Sequence, residues 1–213
     1  MKKQLFYLCL LLIVFAPKLT SQNIQTPDEF LGYQLGSNFT RHHNVVDYFN
    51  YVSDNSLNVT LEKYGETNEK RPLYVSFISS EENIKNLETI RQDNLKRTGI
   101  LDGNSNSEIG IVWLSYNVHG NEASSTEAAM LTLYKLITEK QDWLKNTLVI
   151  IDPCINPDGR DRYVNWYNQK KSNPYNTNTD ATEHHEPWPG GRPNHYLFDL
   201  NRDWAWASQI ETQ

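Results

Sequence analysis

A histidine and a glutamate stand three residues apart where an apolar run meets a helical pattern. They are His119 and Glu122, within the stretch SYNVHGNEASSTEAAM at 115–130. An imidazole and a carboxylate at this spacing can both reach one Zn²⁺, which takes nitrogen and oxygen ligands in tetrahedral sites. Gly120 between them lets the backbone bend into conformations that are closed to other residues. The pair therefore predicts two ligands of a zinc site.

The elements around this pair are those of an α/β unit. Residues 109–114 (IGIVWL) predict a strand buried on both faces, residues 124–140 have the period of a helix, and residues 148–151 (LVII) predict a second buried strand. Strand, helix and strand in this order predict a right-handed crossover within one sheet. Sites in such sheets form outside the carboxyl ends of the strands, where both the zinc pair and the NPDGR stretch at 156–160 lie.

The remaining patterns predict supporting elements. Residues 41–53 have helical spacing, and the alternating stretches 57–64 and 73–78 predict a hairpin. Residues 163–193 lack periodicity and predict a long functional loop. A final helix is expected to begin near Trp204.

Composition excludes some classes of partner. The 213 residues are 38% hydrophobic and 22% charged, which is typical of a globular chain. The formal charge is −6, and it becomes −9 without the first 21 residues. An acidic body without a basic cluster argues against nucleic acid as a partner, because phosphate binding needs clustered Lys and Arg.

The first 21 residues have the pattern of a signal peptide. Lys2 and Lys3 precede an apolar run from Leu5 to Ala16, which is shorter than the ~20 residues of a spanning helix. We expect cleavage and a secreted or periplasmic protein without stable membrane insertion; an uncleaved anchor is the alternative. Cys154 then remains as a single cysteine, predicted to be a buried and inert thiol.

Three motifs in order resemble the zinc carboxypeptidases of the M14 metallopeptidase family. They are HGNE at 119–122, NPDG at 156–159, and GRxN followed by DLNR across 191–202. The resemblance implies an α/β fold with a mixed central β-sheet covered by helices. It also implies that residues 22–213 are the N-terminal portion of a catalytic domain truncated at its C-terminus.

The resemblance also implies a role for each matching residue. His119 and Glu122 match the first two zinc ligands, and Arg192 matches the arginine that stabilises the oxyanion of the scissile carbonyl. Asn201 and Arg202 match the pair that binds the free C-terminal carboxylate of the substrate. A guanidinium offers the planar fork that suits bidentate carboxylate binding.

Two members of the family's site have no matching motif before Gln213: the third zinc ligand, a histidine, and the general-base glutamate. Both are expected further along a longer chain, so these 213 residues alone are expected to be inactive. The function implied is an exported zinc metallocarboxypeptidase that removes C-terminal residues from peptides. The alternatives are a zinc amidase or deacylase on the same scaffold and a non-catalytic module that binds peptide or glycan.

Several polar residues have simpler interpretations. The stretch EHHE at 183–186 and His195 are expected to structure loops, and Asp158 with Gly159 predicts a turn. A structural ion pair with Asp199 or Asp203 is the alternative role of Arg202.

Overall fold

The computed structural model describes residues 23–213, so the predicted signal peptide lies outside the described residues. The helices and strands follow in the order α1 (Pro27–Leu31), α2 (His42–Asn55), β1 (Val59–Glu66), β2 (Pro72–Ile78), α3 (Glu81–Lys85), α4 (Leu87–Arg97), β3 (Gly110–Ser115), α5 (Ser125–Thr138), β4 (Thr147–Asp152) and α6 (Pro157–Lys170). Short 3₁₀ helices lie at Trp143–Lys145, Thr182–His184, Leu200–Arg202 and Ile210–Thr212. Within residues 23–213, no helix is both long and apolar enough to cross a membrane.

The strands form a mixed sheet in the order β1-β2-β4-β3. β1 and β2 are the predicted hairpin, paired antiparallel from Val59 opposite Ile78. β4 pairs antiparallel with β2 and parallel with β3. The parallel pair is joined through α5, as the strand-helix-strand pattern predicts. Ser115 and Asp152 end the two parallel strands in register, so the segments that follow both strands leave the sheet at the same edge.

The main core lies between the sheet and the apolar faces of α2 and α5. Both helices have apolar residues at helical spacing, which places one face of each helix inwards. Fully burying a side chain such as Phe49 contributes about 1.5–3 kcal/mol. The buried apolar residues of this core are Val45, Tyr48, Phe49 and Val52 from α2, Ala129, Met130, Leu133, Leu136 and Ile137 from α5, Val59, Ile78, Val149 and Ile151 from the sheet, and Leu144.

β3 is less buried than its apolar sequence predicts. Val112 is 44% exposed and Trp113 is 66% exposed. Among the described strands, β3 pairs only with β4, so it is an edge strand. The prediction of burial on both faces was wrong for the described part of the chain, because burial depends on neighbouring elements that a strand's own sequence does not reveal.

The NPDG stretch begins a helix and is not a turn. Asn156 is the N-cap of α6, and its side chain accepts a hydrogen bond from Gly159 N. Pro157 occupies the first helical turn, where its missing N–H has no partner to lose. α6 continues to Lys170, so the irregular segment begins after Lys170 and not at Tyr163.

The helix predicted near Trp204 is absent from the described residues. The chain there forms a short 3₁₀ helix at Leu200–Arg202 followed by turns. The Asp203 carboxylate accepts hydrogen bonds from the backbone N–H groups of Ser208 and Gln209, at 2.9 and 2.8 Å. Such local bonds offer the backbone an alternative to helical pairing, which explains why the helix does not form.

Candidate metal centre

His119 and Glu122 bring two potential ligand atoms together just beyond β3. His119 Nδ1 lies 2.8 Å from Glu122 Oε1. The His119 side chain is 7% exposed, whereas that of Glu122 is 60% exposed. The predicted pair therefore combines a buried imidazole with a carboxylate that is open to solvent.

Asp199 holds the other ring nitrogen of His119. Its Oδ1 lies 2.9 Å from His119 Nε2. A carboxylate can only accept, and Glu122 Oε1 faces the other ring nitrogen, so a neutral imidazole donates to one of these carboxylates and turns a lone pair towards the other. A carboxylate behind a histidine in this way fixes the orientation of a metal ligand and raises its basicity.

The contact between His119 and Glu122 fits a bound cation. In the tautomer that carries its hydrogen on Nε2, towards Asp199, Nδ1 and Glu122 Oε1 present lone pairs to each other across 2.8 Å. Two acceptors this close are stable only with positive charge against both atoms, from a proton or a metal ion. An imidazole nitrogen and a carboxylate oxygen are zinc ligands, so this donor set fits zinc.

Arg192 joins the same cluster through Asp199. Its Nη2 and Nε lie 2.9 and 3.2 Å from Asp199 Oδ2, and its Nη1 lies 3.4 Å from His119 Nδ1. Burial by itself would raise the pKa of Asp199, but hydrogen bonds from His119 and Arg192 outweigh it, so the pKa lies below its usual range. Asp199 therefore stays ionised and directs the guanidinium towards the side where the ligand atoms meet.

Asn201 and Arg202 lie next to this cluster on an exposed turn. Asp199 Oδ1 accepts from Asn201 N at 3.1 Å and so begins the turn. Within residues 23–213, Arg202 forms no ion pair: Asp199 binds Arg192, and Asp203 binds backbone N–H groups nearby. The structural ion pair considered for Arg202 is thus not seen, and its guanidinium stays exposed.

Three glycines join the three sequence motifs by direct backbone contact. A methyl group added at Gly120 would overlap backbone atoms of Gly159 and Arg160, and would lie 2.5 Å from Gly191 O. One added at Gly191 would lie 2.6 Å from Tyr163 Cβ. The glycines are therefore required for close approach, and they fix the zinc pair against α6 and the Arg192 segment.

Asn156 adds a second link between these motifs. Its side chain is fully buried, and Nδ2 donates to the backbone O of Arg192 at 2.9 Å. The same side chain caps α6 through Gly159 N. One amide thus holds the start of α6 to the backbone of the predicted oxyanion-binding arginine.

A buried ion pair supports the base of the site. Arg160 Nη2 lies 2.7 Å from Glu127 Oε1, and both side chains are at most 7% exposed. Arg160 also donates to the backbone O of Ala123 at 2.6 Å and of Thr40 at 3.0 Å. The pair links α6 to α5 and to the loop that carries Glu122.

The EHHE stretch and His195 structure loops, as predicted. Glu183 accepts from the backbone N of Ser172 at 2.5 Å and of Asn176 at 3.0 Å. Glu186 accepts from Asn121 Nδ2 at 2.5 Å. His195 Nδ1 lies 3.0 Å from a carboxylate oxygen of Glu69.

No third ligand accompanies the zinc pair in the part of the chain that the structure describes. One group of three metal-ligating side chains does occur there, at Glu69, Asp158 and His195. In that group the Arg71 guanidinium contacts Glu69 at 2.5 Å and Asp158 at 2.8 Å, so an internal cation already balances the carboxylates. His119 and Glu122 offer two potential ligands of the three that a catalytic zinc requires.

Comparison with known proteins places the chain in a family. The sequence model of the zinc carboxypeptidases (Peptidase_M14) matches residues 45–213, and the chain belongs to this family. No protein with a curated description matched. The fold and recognition predicted from the three motifs are confirmed.

Solved structures of carboxypeptidases are similar in fold. A Shewanella denitrificans protein assigned as a carboxypeptidase A is 16% identical, with a TM-score of 0.50, and the match covers 83% of this chain and 35% of that one. Carboxypeptidase A of Helicoverpa armigera is 17% identical over 91% of this chain and 36% of its own, with a TM-score of 0.49. A Burkholderia cenocepacia metallo-carboxypeptidase is 15% identical over 80% of this chain and 35% of its own, with a TM-score of 0.47. The chain thus spans about a third of the length of these structures.

Proposed function

We propose that the protein is a zinc metallocarboxypeptidase that hydrolyses the C-terminal residue of peptides. The observation that carries the proposal is the convergence of His119 Nδ1 and Glu122 Oε1 at 2.8 Å, with Asp199 behind the imidazole. Membership of the zinc carboxypeptidase family supports it. His119 and Glu122 would hold the metal as two of the three protein ligands that a catalytic zinc needs.

The chain's own groups have separable tasks in this proposal. When bound, zinc supplies a Lewis acid and lowers the pKa of a water molecule. Asp199 keeps the hydrogen of His119 on Nε2, so that Nδ1 is free to act as a ligand. Arg192 presents a fixed positive charge near the ligand atoms, where it would stabilise a developing oxyanion.

Asn201 and Arg202 would select substrates that end in a carboxylate. Arg202 is exposed and unpaired within the described residues, so its planar fork is available for a bidentate contact. Asn201 offers an amide donor beside it. An amidase acting on substrates without a terminal carboxylate would gain little from this pair, which is why we favour the carboxypeptidase over the amidase.

The test compares one peptide with a free C-terminus and with an amidated C-terminus. The full-length protein should cleave the free peptide and leave the amide almost untouched, and Arg202→Ala should lower kcat/KM for the free peptide about 100-fold. The loss corresponds to two charge-assisted hydrogen bonds of about 1.5 kcal/mol each. Equal cleavage of both peptides by the wild type would support the amidase and contradict the proposal.

We also propose that the protein is exported. Lys2 and Lys3 followed by the apolar run to Ala16 support a signal peptide. N-terminal sequencing of the protein made in its own cell tests this: a mature N-terminus near Gln22 is expected. A protein that retains Met1 in the soluble cell fraction would contradict export.

A further inference from the structure

Asn117 lies two residues before the predicted metal-binding histidine, in a conformation that few residues adopt. Its φ is +56°, in the left-handed region, and it is 2% exposed. Asparagine tolerates this region better than most residues with a side chain. β3 ends at Ser115, and the positive φ at Asn117 redirects the chain into the loop that carries His119 and Glu122.

The Asn117 side chain is bonded to the loop from both ends of its amide. Nδ2 lies 3.0 Å from His119 O, 3.3 Å from Glu122 O and 3.2 Å from Ser125 Oγ. Oδ1 accepts from the thiol of Cys154 at 3.3 Å. Burial raises the pKa of Cys154, so this thiol keeps its hydrogen and can donate.

We propose that Asn117 is a positioning residue that sets the separation of the two metal ligands. The inference rests on the zinc site of the proposed function. One amide group binds the backbone carbonyls of both His119 and Glu122, so it fixes the two ligand residues relative to each other. The need is greatest for Glu122, because its side chain is 60% exposed and has little packing of its own.

The backbone around Asn117 makes this support rigid. Asn117 O accepts from Asn156 N at 3.2 Å, which ties the residue to the N-cap of α6. Glu122 N donates to His119 O at 3.0 Å, closing the turn that the amide spans. The Asn117 amide thus lies inside a loop whose two ends are already held. A fixed donor at this place can set the position of His119 relative to Glu122.

Asn117→Gly is the sharpest test, because glycine keeps the positive φ and removes only the amide. Zinc affinity of the full-length protein is measured by competition with a chromophoric chelator, and melting temperatures are recorded with and without zinc. We expect zinc affinity to fall about tenfold and the zinc-induced rise in melting temperature to shrink. Cys154→Ala is the matched control: it removes the donor to Asn117 Oδ1, leaves the Nδ2 contacts with both carbonyls and should bind zinc within twofold of wild type.

The outcomes separate this inference from the proposed function. A wild type that binds zinc but releases no C-terminal residue would contradict the proposed function alone. Unchanged zinc affinity in Asn117→Gly, or a lower melting temperature of the metal-free form with an unchanged zinc increment, would overturn the positioning role. If the glycine variant does not fold, Asn117→Asp is compared in the same way, and loss of folding in both would also overturn the proposal. A folded wild type that binds no zinc would overturn both the proposed function and the positioning role of Asn117.

Discussion

Removal of the Asp199 carboxylate should weaken zinc binding without any change to the metal's own ligands. Asp199 Oδ1 lies 2.9 Å from His119 Nε2, and that imidazole is 7% exposed. In Asp199→Ala the Nε2–H loses its partner in a nearly dry position, and the ring can rotate or change tautomer. Such outer-shell partners typically contribute 10–100-fold in metal affinity, which is about 1.4–2.7 kcal/mol. Because the imidazole is buried, we expect the upper part of this range.

The loss of Asp199 should also act through Arg192. Oδ2 receives both Nη2 and Nε of Arg192 at 2.9 and 3.2 Å. This guanidinium is 47% exposed, so water replaces much of the lost contact and the effect on stability is small. Its effect on turnover is larger, since an arginine that is no longer directed stabilises an oxyanion less well. We expect kcat to fall in Asp199→Ala even at saturating zinc.

The assay is chelator competition for zinc at fixed pH, followed by peptide hydrolysis at saturating zinc. The zinc affinity of Asp199→Asn should lie between those of the wild type and Asp199→Ala. The single amide oxygen of asparagine can accept from His119 or from Arg192, but it cannot replace both carboxylate contacts. Asp142→Ala is the matched control, since this carboxylate is 89% exposed and pairs only with Lys145. Zinc affinity of Asp199→Ala within threefold of wild type would refute the role assigned to Asp199.

Two further predictions concern stability. Gly120→Ala should lower the free energy of unfolding by about 3 kcal/mol in urea denaturation, because its methyl group would overlap the backbone at Gly159; a loss below about 1 kcal/mol would contradict that packing. Asp152 has a pKa raised to about 7, because burial outweighs its hydrogen bond from Tyr64. The folded state therefore binds this proton more tightly than the unfolded state does. The contribution of Asp152 to the free energy of unfolding is complete below about pH 4, where the side chain is protonated in both states, and it is lost as the pH rises towards 7. In the wild type, this group should lower the free energy of unfolding by up to about 1.4 kcal/mol per pH unit between pH 4.5 and 7, and Asp152→Asn should remove that decrease. An unchanged dependence of the unfolding free energy on pH, measured by urea denaturation, would contradict this.

The elements that carry the site could be predicted from sequence because their patterns are local. The alternation in 57–64 and 73–78 predicted the hairpin, and the apolar runs before and after α5 predicted the parallel pair. Position at the carboxyl ends of these strands then brings the HGNE and NPDG motifs together. The roles assigned to Arg192, Asn201 and Arg202 remain predictions.

The errors arose where tertiary contacts decide local structure. An apolar strand such as β3 predicts burial, but only its neighbours determine whether it is covered. For α6, the signals were present in the sequence: Asn156 before Pro157 is typical of a helix N-terminus. Near Trp204, the deciding contacts are hydrogen bonds that the Asp203 carboxylate accepts from backbone N–H groups five and six positions later, and hydrophobic periodicity does not reveal them.

The supporting residues of the site were missed for a related reason. Asp199 was considered only as a partner of Arg202, yet it binds His119, a residue 80 positions earlier in the chain. Its place as the first residue of DLNR gave no sign of that contact. Asn117 offered one weak signal, since asparagine just after a strand is a residue type that accepts positive φ. The close contacts of the glycines in the three motifs could not be predicted either, because they depend on how the motifs pack in three dimensions. Each glycine by itself is visible within its motif.

The most direct test of the account is zinc stoichiometry and C-terminal release in the full-length protein, with and without His119→Ala. The account predicts one zinc per molecule and release of C-terminal residues in the wild type, and loss of both in the variant. A folded wild type that binds no zinc, or a His119→Ala variant that keeps both zinc and activity, would contradict the central claim.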